Sequence, residues 1–162
     1  MNARIRSIVN SRVTAVIVAL AIVGGLTVHG ARSQAAAMRK AINLPTDNPQ
    51  LPFSGAILAG NTLYLSGRIG LDAKTGKAPE SVDEEIKVLL DTVKATVVAA
   101  GMTMDDLVYV QIACTDLSLY DKFNTAYRTY FTTKELPARE FIGAATLLRG
   151  GHFEIQAIAV KR

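Results

Sequence analysis

Residues 153–160 read FEIQAIAV. Side chains on a strand alternate between faces, so Phe153, Ile155, Ala157 and Ala159 share one side. The other side carries Glu154, Gln156, Ile158 and Val160. The first set suits burial beneath a helix. The second is too polar for a core and too apolar for open water, which suits a subunit interface. Helices over one face of a sheet, with the opposite face kept for a partner, form an α+β arrangement.

Working outward, AREFIGAATL (138–147) reads as a second strand, joined to the first by a turn at Gly150 and Gly151. SLYDKFNTAYRTYF (118–131) places Leu119, Phe123, Tyr127 and Phe131 on one helical stripe, with Ser118 as the expected N-cap. DDLVYVQIACTD (105–116) is strand-like. SVDEEIKVLLDTVKATVVAAG (81–101) is the strongest helix. Ser81 and Glu84 form a capping box, acids crowd the first turn, and Gly101 is a natural stop. GAILAGNTLYLSGRIG (55–70) holds two short apolar runs around Gly60 and Asn61, a hairpin signal. The expected order is β-β-α-β-α-β-β, a mixed sheet with two helices packed on one face.

The 162 residues suffice for one domain with a real core. At 49% hydrophobic and 20% charged, the chain belongs with folded proteins, not disordered ones. Its formal charge of +4 is unevenly spread. Residues 1–40 carry six Lys and Arg and no acid, whereas the remainder carries 12 against 14 acids. A nucleic-acid footprint would be a basic patch on the domain itself, and no such cluster is present there. The basic start, the 16-residue apolar run from Val13 to Val28 and the small residues around Ser33–Ala36 have the order of a secretory signal peptide. The run is short of the ~20 residues that span a bilayer. Residues 1–35 are therefore read as a cleaved leader, with an uncleaved membrane anchor as the alternative. Export, in a bacterium to the periplasm, is the expectation. Residues 36–52, with three prolines, read as an extended linker, and 53–162 as the domain.

The single cysteine, Cys114, excludes an intrachain disulfide and reads as a small buried hydrophobe. His29 and His152 are far apart, and no Cys or His spacing suggests a metal. Arg139 stands at the mouth of an apolar strand, just after LPA. It is either a solvated strand-end charge or a partly buried cation that needs a partner. Glu140, its neighbour, points to the opposite face. If Arg139 turns inward, its partner is a distant residue or a bound anion.

Taken together, LPFSGAILAGNTLYLSGRIGLD, FNTAYRTYF, LPAR and FEIQAIAV resemble the RidA/YjgF family of enamine/imine deaminases, in order and spacing, over residues 49–160. The resemblance implies a chorismate-mutase-like fold and a homotrimer with sites in the clefts between subunits. It implies that Arg139 binds the carboxylate of a small 2-imino acid and that Glu154 helps place a water. It also puts Ser66, Gly67 and Asn124 at the substrate pocket, together with Phe53 and Phe141. Water would add to the imine carbon and ammonia would leave a 2-keto acid. No metal or cofactor is implied, since the imine is already electrophilic. The expected partners are a 2-imino acid or keto acid and further copies of the chain, with no nucleic acid, and a membrane only if the leader is retained.

The sequence departs from the family pattern at four places. Phe53 stands for a usual tyrosine, Gly55 for a glutamine, Arg68 for a glutamine and Phe141 for a frequent cysteine. A non-catalytic trimer that binds small carboxylates is therefore the competing reading. A chaperone and a ribonuclease stand behind it, the latter opposed by the acidic domain and the lack of paired histidines.

Overall fold

Six strands and two helices build residues 39–162, the part of the chain described by the computed structural model. The expected leader lies outside these residues. In chain order the elements are β1 (Arg39–Ile42), β2 (Ala56–Ala59), β3 (Thr62–Ile69), α1 (Val82–Ala99), β4 (Leu107–Cys114), α2 (Tyr120–Arg128), β5 (Ala138–Gly143) and β6 (Phe153–Val160). They form one sheet in the order β1-β2-β3-β6-β4-β5. Only β4 and β5 run parallel. A parallel pair needs a long crossover, and α2 supplies it. β3 and β4 both run antiparallel to β6 and are joined through α1.

The FEIQAIAV strand is thus central. Phe153, Ile155, Ala157 and Ala159 are all buried, as their alternation predicts. They meet Leu63 and Leu65 of β3, Val110 and Ile112 of β4, and the apolar stripe of α1 formed by Ile86, Leu89, Leu90, Val93 and Val97. Burying one such Leu, Ile or Phe is worth about 1.5–3 kcal/mol. Phe123 and Tyr127 bring α2 into the same core. On the other face Gln156 is exposed and Glu154, Ile158 and Val160 are half-buried. Register puts Tyr109, Gln111 and Ala113 of β4 and Tyr64 of β3 on that same uncovered face.

The helix caps are local and follow from sequence. The Ser81 side chain accepts from the Glu84 N–H, and Gly101 takes the left-handed conformation (φ 74°) that ends α1. Three features differ from the sequence reading. Ser118 does not cap the second helix. Asp116 instead caps the short 3-10 turn Leu117–Leu119 that leads into α2, accepting the Ser118 N–H at 2.9 Å, and α2 itself starts after Leu119 with no side-chain cap. The linker read over 36–52 contains β1, which pairs with β2 along its full length. β1 precedes the first proline, so the Pro-rich stretch that suggested a linker begins just beyond it. Finally, β5 and β6 are joined by a turn through Leu148–Gly150 but are not neighbours. The chain crosses from the sheet edge, past β4, into the gap beside β3.

Candidate active site

The β5 side chains divide between the two faces of the sheet. Arg139 and Phe141 point to the helix-covered side, where both are half-buried. The Arg139 guanidinium carbon lies 5.1 Å from the Tyr127 ring centre, 5.5 Å from Tyr120 and 5.6 Å from Phe141. These distances are within cation–π range. The rings brace one another: Phe141 meets Tyr120 edge-on at 4.9 Å and Phe123 at 5.7 Å. One guanidinium nitrogen donates to the Tyr120 hydroxyl at 3.2 Å. Among the described residues no carboxylate pairs with Arg139. Glu140 is on the opposite face, where it accepts a 3.3 Å bond from Tyr109.

Asn124 follows Tyr120 by four residues and precedes Tyr127 by three. Helical spacing sets it on the stripe that borders the arginine. Tyr127 is 3% exposed, and its hydroxyl has no hydrogen-bond partner among the described residues. Burial pushes its pKa up to about 12, against the opposing pull of Arg139. It is therefore a neutral phenol at physiological pH.

A second group forms around a bulge in β3, where the register with β6 shifts between Leu65 and Arg68. The bulge holds Ser66 and Gly67. The Glu154 carboxylate lies over Gly67, where a Cβ would collide with Oε1. Ser66 is bound to the end of β2, its hydroxyl donating to the Gly55 carbonyl at 2.8 Å and its N–H at 3.1 Å. Beside it, Arg68 makes a two-pronged pair with Asp47 at 2.5 and 3.1 Å. Hydrogen bonding from Arg68 holds the Asp47 carboxyl below its usual range. A Cβ at Gly55 would strike both partners, so the glycine is required by the ion pair. Two of the departures noted in the sequence, Gly55 and Arg68, are thus one structural change completed by Asp47.

Within one chain the two groups stay apart. Arg139 is level with Val110, which is level with Ala157, three residues from Glu154. At ~3.3 Å per residue and ~4.8 Å per strand, their backbones are about 14 Å apart, and their side chains take opposite faces. Phe53 is 58% exposed, on the loop before β2. The structure brings Arg139 and Phe141 together, with Asn124 on the adjoining stripe of α2, and separately sets Glu154 over Gly67, the neighbour of Ser66. Among the described residues, no cluster of three or more His, Cys, Asp or Glu could hold a metal. The sequence reading missed Tyr120 and Asp47. The spacing of Tyr120, Asn124 and Tyr127 was a usable signal for the first. Nothing local marks Asp47 as the partner of a residue 21 positions away.

Comparison with known proteins fits this fold. Residues 45–161 match the family described as Endoribonuclease L-PSP. The chain is 37% identical over 111 residues to mouse 2-iminobutanoate/2-iminopropanoate deaminase, covering 68% of this chain and 82% of that protein. It is 35% identical over 113 residues to the Escherichia coli K12 protein of the same name, covering 68% and 88%. The crystal structure of the E. coli YjgF gene product superposes with a TM-score of 0.68 at 34% identity, covering 76% of this chain and 99% of that one.

Proposed function

The chain belongs to the Endoribonuclease L-PSP family, the RidA/YjgF proteins, and from that premise we propose that it hydrolyses reactive 2-imino acids and their enamine tautomers. The observation that carries the reading is Arg139. It is a half-buried guanidinium, walled by three aromatic rings, with one bond to a neutral hydroxyl and no carboxylate among the described residues. A cation in that setting calls for an anion. Its planar fork matches a carboxylate with two parallel donors.

With the substrate carboxylate on Arg139, the imine carbon lies one bond further out. Water attacks that carbon, forming a C–O bond, while the C=N electron pair takes a proton at nitrogen. The resulting carbinolamine expels ammonia as its hydroxyl loses a proton and becomes the keto group. The net change is imino acid plus water to keto acid plus ammonia. Glu154 is the residue suited to hold the water and accept its proton. Since Arg139 and Glu154 lie on opposite faces within one chain, joint action requires a second copy. The mixed polar and apolar face of β6 supports assembly, and the trimer of the family reading supplies clefts in which residues from two copies meet.

The test uses imines generated in situ from amino acids by an oxidase, with ammonia and keto acid followed together. Release faster than spontaneous hydrolysis is expected. Binding of a keto acid without accelerated release would favour the competing reading, a carboxylate-binding trimer. That reading draws its support from Phe53 and Phe141, which replace a hydroxyl and a thiol.

A further inference from the structure

Glu85, in the first turn of α1, is 0% exposed, and the reaction outlined above makes no use of it. A buried carboxylate is strongly unfavourable unless its oxygens are bonded. All of its side-chain bonds go to two consecutive residues. Oε1 accepts the main-chain N–H of His152 at 2.6 Å and of Phe153 at 3.1 Å. Oε2 stands 2.7 Å from Nδ1 of His152, whose side chain is 38% exposed. The residue that follows is Glu154.

The socket is built for this grip. A Cβ on Gly70 would collide with the Glu85 carbonyl oxygen and stand 3.0 Å from its Cγ. A Cβ on Gly151 would come within 2.6 Å of Ile69 and 3.6 Å of Glu85 Oε1. The main chain is held from the other side as well, where the His152 carbonyl accepts the Thr115 N–H at 3.0 Å. β6 arrives at this point from a connection that has just crossed the end of the sheet, so its first residues need an external anchor.

We propose that Glu85 is a positioning residue for deamination: by holding the main chain of His152 and Phe153 it fixes where β6 begins, and with it the place of the Glu154 carboxylate over Gly67. The inference rests on the deaminase reading. It asks for geometry, not charge, from Glu85. A glutamine can satisfy the same three contacts. Its carbonyl oxygen accepts both main-chain N–H groups, and its amide donates to Nδ1 of a neutral imidazole protonated on Nε2. An aspartate keeps the charge but is shorter by roughly 1.5 Å, one carbon–carbon bond.

The experiment compares wild type, Glu85→Asp and Glu85→Gln as full chains. Imine hydrolysis is measured per folded oligomer, and amide hydrogen exchange is read at His152 and Phe153. Glu85→Asp is expected to lower kcat by about ten- to a hundredfold, the effect of an ångström-scale misplacement of a reacting group. KM is expected to stay within about twofold, because the carboxylate anchor is untouched. Glu85→Gln is expected to retain kcat within about threefold, with wild-type exchange at both amides. A general loss of stability would not produce that split between kcat and KM, nor the rescue by glutamine. Normal kcat in Glu85→Asp with faster exchange would overturn the proposal. So would a loss in Glu85→Gln that Glu85→Asp escapes, which would make charge the requirement, equal loss in both variants, which would mean that glutamine does not restore the geometry, or a loss carried by KM. Inert wild-type protein would overturn the deaminase reading itself, and that result is visible before any variant is made.

Discussion

Replacing Arg139 by alanine removes the guanidinium fork, the bond to Tyr120 and three ring contacts together. The ring contacts are half-exposed, so each is worth about 0.5–1 kcal/mol. Their loss is partly offset because the variant no longer desolvates a cation. A net loss of about 1–2 kcal/mol would lower Tm by roughly 4–10 °C in a domain of this size. The effect on turnover is larger. Each charge-assisted hydrogen bond to a bound carboxylate contributes about 1.5–3 kcal/mol. Two of them are worth at least a hundredfold in kcat/KM, at 1.36 kcal/mol per tenfold. Arg139→Lys keeps a charge but not the fork, and is expected to lose most of the activity too. Thermal unfolding and imine hydrolysis are to be measured on the same samples. Activity that falls only in step with the unfolded fraction would make Arg139 a structural residue. Full turnover by folded Arg139→Ala protein would refute the carboxylate anchor outright.

Gly67→Ala sets a methyl against the Glu154 carboxylate, so turnover is expected to drop at least tenfold while the chain still folds, the scale expected for a displaced reacting group; an unaffected rate would remove Glu154 from the reaction. Asp47 has a folded-state pKa held below its ordinary value by the bond from Arg68. Its stabilising contribution is therefore full above that ordinary value of 3.8 and lost as the pH falls toward the lower folded value. Asp47→Asn should be less stable than wild type at neutral pH and should lose less stability on acidification below pH 4. Urea midpoints across pH 2.5–7 test this, and parallel curves for the two proteins would contradict it. Tyr127→Phe deletes a buried hydroxyl without a partner among the described residues, so stability is expected to be unchanged or higher by about 1 kcal/mol. A clear loss would reveal a partner that forms only in the assembly. Light scattering on residues 39–162 should give three copies, and a stable monomer would leave Arg139 and Glu154 unable to meet.

Features written into one continuous stretch were legible in the sequence. The alternation of FEIQAIAV separated a buried face from an open one, and Ser81 and Gly101 bounded α1 as their chemistry requires. Glu140 was rightly set aside as a partner for Arg139, because neighbouring strand residues take opposite faces. Features that depend on distant pairing were not legible. Gly55 and Arg68 read as two unrelated departures, and Asp47 as one residue of the linker, until folding brought them together. Asp116 was overlooked as a cap because the 3-10 turn shifts the start of α2 by a few residues. Glu85 passed for an ordinary acid of a first helical turn, since nothing near it in the chain signals that its partners lie 67 and 68 positions away.

The central place of β6 has a consequence for how the protein is made. Its eight residues form the last of the six strands to be synthesised, yet they fill the gap between β3 and β4. Until they leave the ribosome, the chain holds two partial sheets, β1-β2-β3 and β4-β5, each with one raw edge and half a core. No stable intermediate can close over Phe153 and Ile155 before those residues exist, so closure of the sheet waits until β6 has been made. During that interval the exposed edges of β3 and β4 are open to pairing with other chains. A stop codon ahead of Phe153 would therefore remove the keystone of the sheet. Ribosome stalling before the codons of β6 is where aggregation and degradation of this chain should concentrate.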